Sequence, residues 1–394
     1  MNVNRLLEVL RVSLRLGLTS FGGPIAHLGY FREEYVKRRK WLTEESYADV
    51  VALCQFLPGP ASSQVGIAIG IGRAGLLGGL LAWVGFTLPS VVLLMAFAYA
   101  LHGVDVRDAG WLHGLMIAAV AVVAQAVWGM AAKLANGKTT AAIAIASAVA
   151  ALLVPSPFVQ AGIIAAAGLL GWRCLRADNA GAAEILPSPI GRRTGAWFLA
   201  AFGALLLALP LLRAAVPNHA IALADGFYRA GALVFGGGHV VLPLLQQSVV
   251  PPGWMTDGQF LAGYGAAQAV PGPLFTLAAY LGFASGPAPN GIAGGLLAVA
   301  AIFLPAYLLV AGALPFWHVI RAKPAFRSAL AGVNAGVVGI LAAALYDPVW
   351  TSAVRAPSDF GLALIAFGLL TVWKLPPWLV VAASALGGLA LPYL

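Results

Sequence analysis

One motif set occurs twice in this chain, and that repetition constrains the fold more than any other feature. Phe21-Gly22-Gly23 returns as Phe235-Gly236-Gly237, 214 residues later. Arg15, six residues before the first copy, returns as Arg229, six before the second. Trp41-Leu42-Thr43-Glu44 returns as Trp254-Met255-Thr256-Asp257 at an offset of 213. The same offset carries Gln55 to Gln268 and Pro58-Gly59-Pro60 to Pro271-Gly272-Pro273. Gly78-Gly79 and Leu88-Pro89 return as Gly294-Gly295 and Leu304-Pro305 at 216. Matches in one order, with so little drift, predict two homologous halves.

Composition decides the medium in which those halves fold. Of 394 residues, 61% are hydrophobic and 9% charged, against about 25% charged in a soluble domain. So little charge cannot cover a soluble surface. A soluble enzyme, a nucleic-acid binder and a disordered chain are therefore excluded. At about 20 apolar residues per span, the apolar content sets a ceiling near 12 spans. The sequence predicts an all-α polytopic membrane protein of about 10–13 transmembrane helices in two repeats, with helices broken at PGP. The first repeat is expected over 1–176, a cytoplasmic linker over 177–194, and the second repeat over 195–394 with an extra N-terminal helix near 195–215. Cys54 and Cys174 lie far apart and without a CxxC partner, so no disulfide or metal site is implied. The first apolar run, Leu6 to Phe21, contains Arg11 and Arg15 and lacks an AxA-type exit, so it reads as a retained helix.

The net charge of +9 fits basic residues gathered in cytoplasmic loops. Half one carries Lys37-Arg38-Arg39-Lys40 after its FGG helix, where 246–254 in half two has no basic residue. Further on the bias reverses, with Asp105, Arg107 and Asp108 against Arg321, Lys323 and Arg327. Equivalent loops then lie on opposite sides, as in the inverted repeats of many secondary transporters.

The PGP tripeptides are the first candidate site. Two prolines flanking a glycine break a helix, and a broken backbone is tolerated in a membrane only inside protein or beside a water-filled cavity. After Pro58-Gly59-Pro60 and Pro271-Gly272-Pro273 a new helix N-terminus begins, whose free N–H groups and dipole suit an anion. Ser62, Ser63 and Thr276 could add donors. A ligand-free kink or re-entrant turn is the alternative; two breaks at symmetric positions favour a transport site. Arg15 and Arg229 lie inside apolar runs, where an Arg normally faces an interior or aqueous cavity. A guanidinium pair suits a dianion, although Arg15 could snorkel and Asp225 could pair with Arg229. Gly22, Gly23, Gly236 and Gly237 allow close backbone approach, or serve helix packing. Gln55 and Gln268 each precede PGP by three residues and could serve ligand or freed carbonyls. Asp49, His27 and His239 are candidate proton carriers. Glu33, Glu34, Glu44 and Glu45 are expected to pair with Lys37 to Lys40, with capping of the next helix by Glu44 and Trp41 as the alternative. Gly70-Ile71-Gly72-Arg73-Ala74-Gly75 spells a dinucleotide fingerprint but lacks the strand before it; it reads as a helix end with Arg73 at the interface. No hydrolase, ATPase or metal motif appears.

The segment from Ser20-Phe21-Gly22-Gly23-Pro24-Ile25-Ala26-His27 through Trp41-Leu42-Thr43-Glu44 to Gln55-Phe56-Leu57-Pro58-Gly59-Pro60 resembles the chromate ion transporter family. So do Phe235-Gly236-Gly237-Gly238-His239, Gly253-Trp254-Met255-Thr256 and Gln268-Ala269-Val270-Pro271-Gly272-Pro273. The resemblance implies a long-chain bacterial inner-membrane protein that exports chromate and confers chromate resistance, with sulfate as structural analogue. Expected partners are the oxyanion and the lipid bilayer, with a homo-oligomer compatible; no nucleic acid and no cofactor are expected. The alternatives are an oxyanion importer coupled to protons or sodium, a channel, and a non-transporting scaffold.

Overall fold

Proline and glycine cut the apolar runs into helices, and no strand forms among the described residues. The computed structural model describes residues 3–21, 23–101, 110–154, 157–175, 189–235, 240–320 and 323–390. Helix α1 (Val3–Thr19) buries Leu6, Val9, Val12, Ser13 and Leu16 on one stripe. Helix α2 (Gly23–Phe31) runs into a π-helical turn, Arg32–Arg38. Helix α3 (Glu44–Phe56) is capped by Thr43, whose hydroxyl accepts the Ser46 N–H at 3.2 Å. It stops where Leu57 turns extended before Pro58.

Helix α4 (Ala61–Ala100) resumes after Pro60 and is itself interrupted at Ala74 and Gly75, with Gly75 at a φ of 70°. There the chain folds back, because Gly70 lies against the Gly78 carbonyl and Ala82. The fingerprint-like string is thus a helix end and a turn. Arg73 places its guanidinium 5.0 Å from the centroid of Trp41, just before α3 begins. The start of α3 and the end of segment 61–73 therefore share one side. Each limb is about 20 Å long, too short for a hydrocarbon core of about 30 Å. The limbs form a re-entrant hairpin with Pro58-Gly59-Pro60 at its tip, so the break reverses the chain instead of bending a continuous crossing.

Helices α5 (Gly110–Leu134), α6 (Lys138–Leu153) and α7 (Pro157–Cys174) complete the first half. Helix α8 (Arg192–Ala215) follows, and Gly195 is its one buried residue. Apolar on all sides, it is suited to face lipid. Helices α9 (His219–Leu233), α10 (Val241–Val249) and α11 (Asp257–Ala269) follow. After Pro271-Gly272-Pro273 come a 3₁₀ turn, Leu274–Thr276, and α12 (Leu277–Ala284). The Tyr280 hydroxyl donates to the Gln259 carbonyl at 2.9 Å, and the Gly286 N–H to that of Trp254 at 3.1 Å. These bonds hold α11 and α12 as a second hairpin with its own PGP tip.

Helix α13 (Gly291–Ala313) leaves that second base and runs antiparallel to segment 76–100. Near its end the Tyr307 hydroxyl donates to Leu76 at 2.7 Å, and near its start Gly295 lies against Met95. The two hairpins consequently enter from opposite ends. Helices α14 (Trp317–Ile320), α15 (Pro324–Ala344), α16 (Thr351–Ala353), α17 (Pro357–Thr371) and α18 (Pro377–Ala390) complete the chain.

The two halves interlock. Helices α17 and α18 pack on α5, while α6 and α7 pack on α15. Small residues permit this: a Cβ on Gly114 would come 2.1 Å from the Ser384 carbonyl, and one on Gly332 would come 2.1 Å from that of Ala167. His113 on α5 also meets Asp359 on α17 at 3.0 Å. Among the described residues, five helices are long and apolar enough to cross a membrane. The protein is an all-α polytopic membrane protein.

Candidate functional site

The two hairpin tips are tied into the middle of the molecule by matching bonds. Gly59 donates its N–H to the Val234 carbonyl at 2.6 Å, and Gly272 donates to the Ser20 carbonyl at 2.9 Å. Val234 and Ser20 each stand immediately before a Phe-Gly-Gly. Each tip is therefore pinned by the chain that enters the other half's glycine pair. Gly59 and Gly272 have φ of 121° and 100°, a region open to glycine and costly for other residues. Space is short as well: a Cβ at Gly272 would sit 2.8 Å from Ser90 Oγ.

Equivalent in backbone, the tips differ in chemistry. Behind Gly272 the helix start is closed on itself, since Thr276 returns both its N–H and its hydroxyl to the Pro273 carbonyl, at 3.0 and 2.7 Å. Its neighbours are the apolar Leu274 and Phe275. Behind Gly59 the chain enters α4 through Ala61, Ser62, Ser63 and Gln64, all but Ala61 buried. First-turn N–H groups lack intrahelical acceptors. Ser62 Oγ lies 3.3 Å from His27 Nδ1. His27 stands edge-on to Phe86 and beside the Ser20 main chain. Gln64 donates to the Pro58 carbonyl at 2.7 Å and stiffens the tip. Ser20 Oγ, Ser63 Oγ and Gln64 Oε1 are buried without a hydrogen-bond partner among the described residues. Buried polar groups are normally satisfied. The two idle hydroxyls, Ser63 in the first turn of α4 and Ser20 beside His27, mark this polar recess as the candidate anion site.

Arg15 and Arg229 are placed differently. Asp225, fully buried, pairs with Arg229 at 2.5 Å and with Arg213 at 3.2 Å. Arg229 is thus paired within its own helix, with a carboxylate that it shares with Arg213. Arg15 stays more than half exposed, 4.0 Å from Glu34. It stands five residues before Ser20, about 7.5 Å of helix rise. It lines an open cavity of about 560 Å³ at the base of the first hairpin. There Glu8 binds Arg39 at 2.9 Å and Arg73 at 3.1 Å, and Glu34 binds Arg39 at 2.8 Å and Arg38 at 3.4 Å. Burial alone would raise the Glu34 carboxyl; hydrogen bonds from Arg39 and Arg38 outweigh it and hold the group below the usual range.

The sequence pattern of the chromate transporter family matches residues 7–172 and 221–389. The chain belongs to the chromate transporter family. A chromate transport protein of Pseudomonas aeruginosa is 32% identical over 95% of this chain and 90% of its own length. One from Cupriavidus metallidurans is 30% identical over 99% of this chain and 94% of its own. A probable chromate transport protein of Synechococcus elongatus is 29% identical over 97% and 95%. No solved structure matches the chain.

In this chromate transporter family member the remaining expected site residues take several distinct placements. Pro58, Pro60, Pro271 and Pro273 shape the tips. Gly23, at a φ of 77°, starts α2; Gly22, Gly236, Gly237 and His239 lie outside the described residues. Gln55 is exposed, whereas Gln268 is half-buried beside Tyr264, its Nε2 without a hydrogen-bond partner among the described residues. Asp49 is buried and accepts the Trp317 indole N–H at 3.0 Å, a bond that fixes α3 against α14. Glu33 pairs with Lys37 and Glu44 with Arg32; for Glu44 the partner is an arginine outside the expected Lys37–Lys40 run. Ser20 and Gln64 at the tip, and Glu8 and Arg73 at the basal cavity, are polar groups that the sequence did not single out as site candidates. Their signal was polarity inside or beside an apolar run.

Proposed function

We propose that this chain exports chromate, or an equivalent tetrahedral oxyanion, from the bacterial cytoplasm by alternating access between two inverted repeats. The observation that carries this reading is the recess behind Gly59, where Ser20 and Ser63 leave buried hydroxyls idle beside the start of α4. The family match in two regions, and the antiparallel course of segment 76–100 and α13, support the repeat. The repeats rock about the two tips, and the straps Gly59–Val234 and Gly272–Ser20 couple each tip to the opposite half. The basic base of the first hairpin faces the cytoplasm, following the positive-inside bias. Arg15 hands the anion from that side to Ser20, Ser62 and Ser63. His27, hydrogen-bonded to Ser62, is the proton carrier this arrangement favours over Asp49.

Electrostatics supports the direction. An inside-negative potential favours anion exit by about 2.3 kcal/mol per charge per 100 mV. A dianion gains about 4.6 kcal/mol, roughly three decades of gradient. Export then needs no nucleotide. The test is chromate accumulation in everted membrane vesicles, with and without an imposed potential and with excess sulfate. Saturable, potential-dependent accumulation inhibited by sulfate is expected. Sulfate movement that follows a proton or sodium gradient, without chromate accumulation, would establish the importer instead.

A further inference from the structure

The cavity at the base of the first hairpin lies apart from the recess behind Gly59. Arg15, Arg38, Arg39, Lys40 and Arg73 line it with five positive charges, against two from Glu8 and Glu34. Its floor is rigid, because Trp41 lies under the guanidinium groups of Arg39 and Arg73, at 5.6 and 5.0 Å. It also joins three elements: Glu8 comes from α1, Arg39 from the connection after the π-helical turn, and Arg73 from the residue before the Ala74–Gly75 fold-back. Arg73 Nε is buried there without a partner among the described residues. Guanidinium groups bind tetrahedral oxyanions through paired N–H donors, and Glu8 occupies two such groups at once.

We propose that this vestibule is a second, outer binding site for a tetrahedral oxyanion dianion, which loads by displacing Glu8 from Arg39 and Arg73. An anion with two charges meets an excess of three positive charges once inside. Taking the place of Glu8 unties α1 from the connection and from the fold-back. The inner recess then receives the ion past Arg15. The outer site is open to solvent, so its affinity falls with ionic strength, whereas a buried recess is screened much less. The inference rests on the reading of the chain as an oxyanion carrier.

The test is equilibrium binding of sulfate and of chromate to the purified full chain in zwitterionic nanodiscs, at low and high salt. Two ions per chain are expected, one of them salt-sensitive. Glu8→Gln removes the competing carboxylate and should tighten the salt-sensitive site several-fold, a gain that misfolding cannot imitate. Arg39→Gln should weaken the same site about tenfold, the scale of one lost charge-assisted contact, and leave the other unchanged. One bound ion per chain, with Glu8→Gln and Arg39→Gln both without effect, would overturn the outer site while leaving the transport reading intact. No binding at all, together with no transport in vesicles, would overturn both. A phosphate-bearing lipid headgroup has the same chemistry. Binding unchanged by added anionic lipid assigns the site to the free ion, and its loss in anionic lipid would assign the site to the headgroup and contradict the proposal.

Discussion

Gly59 and Gly272 hold backbone angles that a side chain resists, and each gives its N–H to the other half. Gly59→Ala and Gly272→Ala should each cost about 1–3 kcal/mol from backbone strain, read as a lower melting temperature in detergent with slower transport. Gly361, with open space around it, is the control position, where alanine should be close to neutral. Under the proposed function Ser62 and Ser63 act on the ligand. Removing either hydroxyl should lower kcat/KM for chromate by roughly 10- to 100-fold, since a hydrogen bond to a charged group contributes about 1.5–3 kcal/mol, with melting unchanged. An equal effect on melting would make them structural. The helix breaks, and the helix start that holds Ser62 and Ser63, were legible in the sequence because Pro and Gly break helices regardless of context. The difference between Arg15 and Arg229 was legible only as alternatives. Asp225 sits one turn before Arg229 in sequence, but Arg213 completes its pairing from a different helix, α8. Ser20 and Gln64 gain their meaning from the far half and from the folded tip, which spacing does not reveal.

Among the elements, the breaks at 58–60 and 271–273 were visible, but their direction was not. A proline-glycine break ends a helix without stating where the chain goes next. The reversal is fixed by contacts between residues far apart in sequence, Trp41 with Arg73 and Trp254 with Gly286. The ion pairs at the first base tie α1 to these elements and give them a pH dependence. Glu34 is held below its ordinary range by Arg39 and Arg38. Its contribution to stability is therefore fully present above the unfolded-state value and is lost as pH falls through the folded one. Glu34→Gln should lower the melting temperature at neutral pH, by a loss of about 1–3 kcal/mol, and should remove part of the acid-induced drop seen in the parent. Parallel acid curves for parent and variant would deny Glu34 this role. At the helix crossings, Gly114→Val and Gly332→Val place side chains where a Cβ alone would meet backbone at 2.1 Å. Both should abolish stable folding, measured as loss of a monodisperse peak after extraction.

At the scale of the whole molecule, the doubled motifs announce two halves but not their exchange of partners. The closing pair α17–α18 rests on α5, and α6–α7 rests on α15. Apolar all-round helices carry no stripe that says which neighbour they will meet, so this arrangement could not be read from periodicity. Each half alone leaves its closing pair without its main partner. Residues 1–176 or 195–394 expressed singly should be degraded or aggregate, whereas the two expressed together should recover a complex that binds sulfate. A half that is stable and monodisperse alone would contradict the interlocked account.

The central claim is that the oxyanion passes through the recess behind Gly59. Anomalous scattering at the chromium edge, from the protein crystallised with chromate, locates the ion directly. The account predicts a peak within hydrogen-bonding distance of Ser62 and Ser63, beside the Gly59–Val234 strap. Chromium bound in the protein, with no peak at that recess, would contradict it.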